Sequence, residues 1–60
     1  MMNELPQDPF MLMSVVNMKL RDQYSSLDEF CASTGVDREA LSQRLMAVGF
    51  EYNPQTNKFW

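Results

Sequence analysis

The residues of this chain that could do chemistry are few, and their spacing points away from catalysis. Cys31 is the sole thiol and the chain has no histidine, so neither a histidine general base nor a cysteine–histidine pair can be assembled. Cys31 falls on the apolar side of a short helical segment with no basic partner to favour the thiolate, and a buried structural thiol is the expectation. The acid pairs are Asp28 with Glu29 and Asp37 with Glu39. Both occupy first turns of helices, where carboxylates complement the helix dipole and cap free amides. The glycines Gly35 and Gly49 are isolated, which leaves no phosphate-cradling loop. One thiol without histidine cannot complete a four-ligand structural zinc site. The sequence therefore predicts no catalytic residue, no cofactor, no metal and no small-molecule substrate: a non-enzyme that binds something.

Two sets of residues are candidates for that binding. Phe10, Met11, Met13 and Val16 crowd the first half of the first helix, and a helix apolar around most of its circumference must be covered on several sides. They predict a contact surface for an unknown protein partner or for a second copy, with a homo-oligomer favoured. With six methionines in the chain, adaptable thioether packing is available in the core and on such a surface. Trp60 is a second candidate for contact, the alternative being that it packs on the first helix. The other set is Arg38, Ser42, Gln43 and Arg44, with Lys58, which suits DNA if the third helix is a recognition helix. Arg38 and Gln43 could then read guanine and adenine edges while Ser42 meets a phosphate. Asp37 and Glu39 would face phosphate oxygens at the same helix end, and the net charge of −3 disfavours polyanions in general. Protein interaction is the preferred function, and dimeric DNA binding is the alternative.

These residues need elements to position them. Asp8 as N-cap with Pro9 at the first helical position starts a helix expected to run to about Tyr24. Ser26 followed by Glu29 forms a capping box, the carboxylate reaching back to the Ser26 amide. The second helix then runs from Leu27 and stops before Gly35. Asp37 caps the third, Val36 and Leu41 make a hydrophobic staple, and Leu41, Leu45 and Val48 form the inward stripe until Gly49. From Phe50 the period becomes alternating, and residues 53–57 carry turn chemistry, so a hairpin closes the chain. The predicted fold is mainly α: a three-helix, helix-turn-helix-like bundle with a carboxyl-terminal β-hairpin, in one domain over residues 8–60 behind a flexible or loosely docked arm at residues 1–7.

The segments Leu5-Pro6, Asp8-Pro9, Met13-Ser14-Val15-Val16-Asn17, Lys19-Leu20-Arg21-Asp22, Ser26-Leu27-Asp28, Val36-Asp37-Arg38-Glu39 and Gly49-Phe50-Glu51-Tyr52-Asn53 together carry a family resemblance. Over residues 5–60 the chain resembles short bacterial proteins classed as a domain-of-unknown-function family. The resemblance implies a complete natural protein and brings no activity, cofactor or catalytic residue with it. Within the matching stretch, Asn17 and Leu20-Arg21-Asp22 either bind a partner or tie the first helix to the Ser25-Ser26 turn.

At 60 residues a chain buries only about 60% of the surface it exposes unfolded, so a small core must be well packed or helped by association. The lone cysteine suits a reducing compartment, and no leader-like segment stands at the amino end. Phe10 to Val16 falls far short of the ~20 residues of a spanning helix. A cytoplasmic protein that does not cross a membrane is the expectation.

Overall fold

The structure, a computed structural model, describes residues 5–60. Helix α1 spans Pro9–Asp22, α2 Leu27–Thr34 and α3 Arg38–Met46, followed by strands β1, Tyr52–Asn53, and β2, Lys58–Phe59. Three helices and a two-stranded antiparallel hairpin are the architecture expected from the sequence.

Each helix starts where local chemistry dictates. The Asp8 carboxylate accepts the Phe10 amide at 2.9 Å, the Ser26 hydroxyl the Glu29 amide at 3.1 Å, and the Asp37 carboxylate the Glu39 amide at 3.0 Å. The capping box differs from the expected one in its return arm. Glu29 accepts from the Ser25 amide at 3.2 Å rather than from Ser26, one residue further back along the chain. Gly35 ends α2 at φ 78°, a left-handed conformation that costs glycine nothing. Helix α1 ends at Asp22, two residues short of the expected Tyr24, and the Tyr24 amide instead donates to the Lys19 carbonyl at 3.1 Å.

The core is made by Leu12, Val16 and Leu20 from α1, Leu27, Phe30 and Cys31 from α2, Leu41 and Leu45 from α3, and Phe59 from β2. Spacings of four residues place each α1 contributor on one stripe. Val48 does not join the stripe. Helix α3 stops at Met46, so Val48 sits in the following turn and is exposed. Val36, the residue before the N-cap of α3, is partly buried against the core.

Residues 5–7 of the expected arm are tied down. Leu5 packs against the core, and Arg44 Nη2 donates to the carbonyls of Pro6 and Gln7 at 3.3 and 2.8 Å. Residues 1–4 of that arm lie outside the described residues.

The hairpin is held to α1 by two asparagines. Tyr52 faces Phe59 across the ladder, and Glu51 and Trp60 exchange backbone hydrogen bonds at 3.2 and 3.1 Å. Antiparallel pairs alternate between bonded and non-bonded, so the amide and carbonyl of Phe59 point away from β1. Asn17 meets both: its Nδ2 donates to the Phe59 carbonyl at 2.9 Å and its Oδ1 accepts the Phe59 amide at 2.8 Å. A carboxamide on a helix thus stands in for a third strand. Asn57, at φ 56°, donates from Nδ2 to the carbonyls of Leu20, in the last turn of α1, and Tyr24, just beyond it, at 3.1 and 2.9 Å. Its Oδ1 accepts the Tyr52 hydroxyl at 2.7 Å, and that hydroxyl accepts the Leu27 amide at 3.2 Å. Among the described residues, no buried side-chain nitrogen or oxygen lacks a partner.

Candidate functional site

With Leu12, Val16 and Leu20 turned inward, the opposite side of α1 carries Met11, Ser14 and Met18. At about 100° per residue, positions seven apart return to nearly the same face. Met11 and Met18 are 59% and 45% exposed, and Phe10 beside them is 56% exposed although its ring stands edge-on to Phe50 at 5.6 Å. The expected contact set therefore divides. Phe10 and Met11 lie at the surface, Met13 is half-buried, and Val16 is fully buried in the core and cannot touch a partner. Sequence reasoning placed Val16 outward because the first half of α1 is apolar on every side. Met18 is the surface member it left out of the set, and the seven-residue spacing from Met11 is the signal that marks it.

Beside this face, α1 and β2 frame an open cleft of about 710 Å³. Met13, Asn17 and Leu20 come from the side of α1 next to the hairpin, Ser14, Met18 and Arg21 from its outward side, and Thr56, Asn57 and Lys58 from the turn and β2. Asn17 is committed here to structure, since its Nδ2 also lies 3.0 Å from the Met13 sulfur. It ties α1 to β2 and not to the Ser25-Ser26 turn. Arg21 pairs with its neighbour Asp22 at 3.0 Å, and the hydrogen bond holds the Asp22 carboxyl below its ordinary pKa and the guanidinium above its own. Lys58 Nζ lies 5.0 Å from the centre of the Trp60 ring, within reach of a cation–π attraction. Trp60 is 66% exposed, so it is not packed away in the core as its size would suggest.

Four of the five candidate DNA-contacting residues stay together on one helix and Lys58 lies apart from them. Arg38, Ser42, Gln43 and Arg44 share α3, but Arg38 is paired with Asp28 at 2.8 Å and Arg44 holds the backbone of residues 6 and 7. Lys58 lines the α1–β2 cleft with Arg21 and does not extend the α3 set.

Cys31 is buried on α2, and burial pushes its thiol above the ordinary 9.0 despite the nearby charge of Arg38. That is the reverse of what nucleophilic or metal-binding thiolates need. Among the described residues, no cluster of three or more histidine, cysteine or acidic side chains could hold a metal ion. No helix of the described residues is long and apolar enough to cross a membrane.

What the fold and these surfaces define is a small trihelical domain with a docked hairpin, presenting an exposed methionine face and an adjoining cleft. Residues 6–59 match the profile of a domain of unknown function, DUF4250, and the chain belongs to that family. No curated protein and no solved structure gives a match to it.

Proposed function

We propose that this chain is a non-catalytic protein-binding module of the bacterial cytoplasm whose contact surface is the outward face of α1. The observation that carries the reading is the exposure of Met11 and Met18, one heptad apart on that face, with Phe10 at its end. Single exposed apolar residues are ordinary on protein surfaces. Here Met11 and Met18 share one face of α1, with Phe10 exposed beside Met11 at the start of the helix, and exposed apolar side chains gathered in this way mark interaction sites. Methionine suits them because its flexible thioether side chain adapts to the surface it meets. Dimeric DNA binding through α3 has less support, since the chain is acidic, Asp37 and Glu39 stand at the amino end of that helix, and Arg44 is held by the backbone of residues 6 and 7.

A photo-crosslinking amino acid placed at Met18, with Gln43 on α3 as the comparison site, tests this in producing cells. Protein adducts are expected from position 18 and not from position 43. Adducts to DNA from position 43, or none from position 18, would overturn the reading. Sedimentation of the purified protein with genomic DNA fragments at low and physiological salt provides the parallel check, and no salt-sensitive complex is expected.

A further inference from the structure

We infer that the cleft between α1 and β2 receives an acidic peptide segment of a partner protein, an apolar side chain seated between Met13 and Met18 and carboxylates held by Arg21 and Lys58. The inference rests on the reading of α1 as a protein-contact surface and adds the chemistry of what is contacted. Its basis is a segregation of charge. The chain has eight acidic and five basic residues, yet among the described residues the charged side chains lining this cleft are Arg21 and Lys58, with Asp22 beside Arg21. A locally positive cleft on a negative protein selects carboxylates brought by an otherwise compatible partner. Long runs of phosphate would be repelled by the rest of the surface.

Both cations are exposed. Lys58 is held only by an exposed ring 5.0 Å away, and Arg21, which donates from Nε and Nη2 to the exposed Asp22 carboxylate at 3.0 and 3.3 Å, meets a peptide carboxylate by sharing or exchanging that partner. The hydroxyls of Ser14 and Thr56 stand on the same lining as additional hydrogen-bond groups. The mode of binding is through side chains. The outward backbone groups of Phe59 are already taken by Asn17, which closes the edge of β2 at the position where a partner strand would pair. The volume, about 710 Å³, lies in the range of about 300–1,000 Å³ in which protein clefts hold small ligands or a few side chains.

The test is a titration of the isotope-labelled full chain with acetyl-Glu-Leu-Glu-Leu-Glu-amide, followed by backbone amide shifts, with the corresponding lysine–leucine peptide as its counterpart. The acidic peptide is expected to perturb Ser14, Met18, Arg21 and residues 56–58. Its affinity should fall at least about tenfold in the double variant Arg21→Gln/Lys58→Gln, and fall again as salt is raised. Both side chains are exposed, so an unchanged amide spectrum will show that the variant is folded. Equal binding of the basic peptide, perturbations elsewhere, or no shifts at low-millimolar peptide would overturn the inference. So would a short DNA duplex that perturbs the same residues more strongly, which would reassign the cleft to phosphate. Failure of the peptide with protein adducts still forming at position 18 removes the acidic partner but leaves the α1 contact surface. Failure of both removes the reading itself.

Discussion

The side chain of Asn17 and the backbone of Phe59, forty-two residues apart in sequence, exchange two hydrogen bonds of 2.9 and 2.8 Å. Two-stranded hairpins are marginal in water on their own. This one is fixed on one side by Phe59 in the core and along its edge by a carboxamide whose donor and acceptor match a strand's.

Asn17→Ala is expected to lower stability by about 2–4 kcal/mol, because two backbone groups of a buried residue lose their partners at about 1–3 kcal/mol each. A chain this size has only about 3–9 kcal/mol in total. Urea unfolding should show the midpoint falling sharply while the slope holds. Asn17→Asp should lie closer to the parent in acid than at neutral pH, since the ionised carboxylate faces the Phe59 carbonyl. A midpoint within experimental error of the parent for Asn17→Ala would mean that Phe59 alone docks the hairpin.

Asn57 separates conformation from bonding. Its φ of 56° is tolerable for asparagine, free for glycine and costs alanine about 1–2 kcal/mol. Asn57→Gly loses the bonds to Leu20, Tyr24 and Tyr52 without strain, and Asn57→Ala loses them with strain. Both should be less stable than the parent, alanine by about 1 kcal/mol more. A glycine variant as stable as the parent would show that water replaces those bonds.

Arg44→Ala should release residues 5–7 from α3 while leaving the helices in place. The contacts of Leu5 with the core should weaken in nuclear Overhauser spectra, with a stability loss of about 1 kcal/mol. Unchanged Leu5 contacts would show that its own burial holds the segment.

The buried thiol of Cys31 gives a pH signature. Burial raises its pKa in the folded state above the ordinary 9.0. Its contribution to stability is therefore fully present below about pH 9 and is lost as the pH climbs towards the folded-state value, because the unfolded chain ionises first. The difference in unfolding free energy between the parent and Cys31→Ala should narrow above pH 9 and be flat below it. Thiol-modifying reagent should react with the native chain only at the rate of its opening. Fast modification of the folded protein would contradict the burial.

Where each helix begins and where α2 ends could be read from the chain, since Asp8 with Pro9, Ser26 with Glu29, Gly35 and Asp37 act on amides and carbonyls within four residues of themselves. The carboxyl ends of α1 and α3 were less legible. Tyr24 and Val48 both continue an apolar period, but the turn leading to α2 and the chain reversal before the hairpin stop the helices sooner. The candidate surface was half legible. An excess of apolar residues on α1 signalled a patch, but only the directions from which α2, α3 and the hairpin approach decide that Val16 is covered and Met18 is not.

By itself, then, the sequence determined the element order, the helix starts and the buried setting of Cys31, because these follow from local capping and from the periodic placement of apolar residues. Tertiary structure alone decided what Asn17, Arg44, Asn57 and Lys58 do. Their partners lie across the fold or, for Lys58, in a cleft that exists only once β2 has docked on α1. The physical reason is one of range. A cap acts within one turn of its own helix, whereas a carboxamide or guanidinium can meet a distant carbonyl only after burial of the core has brought the two segments together.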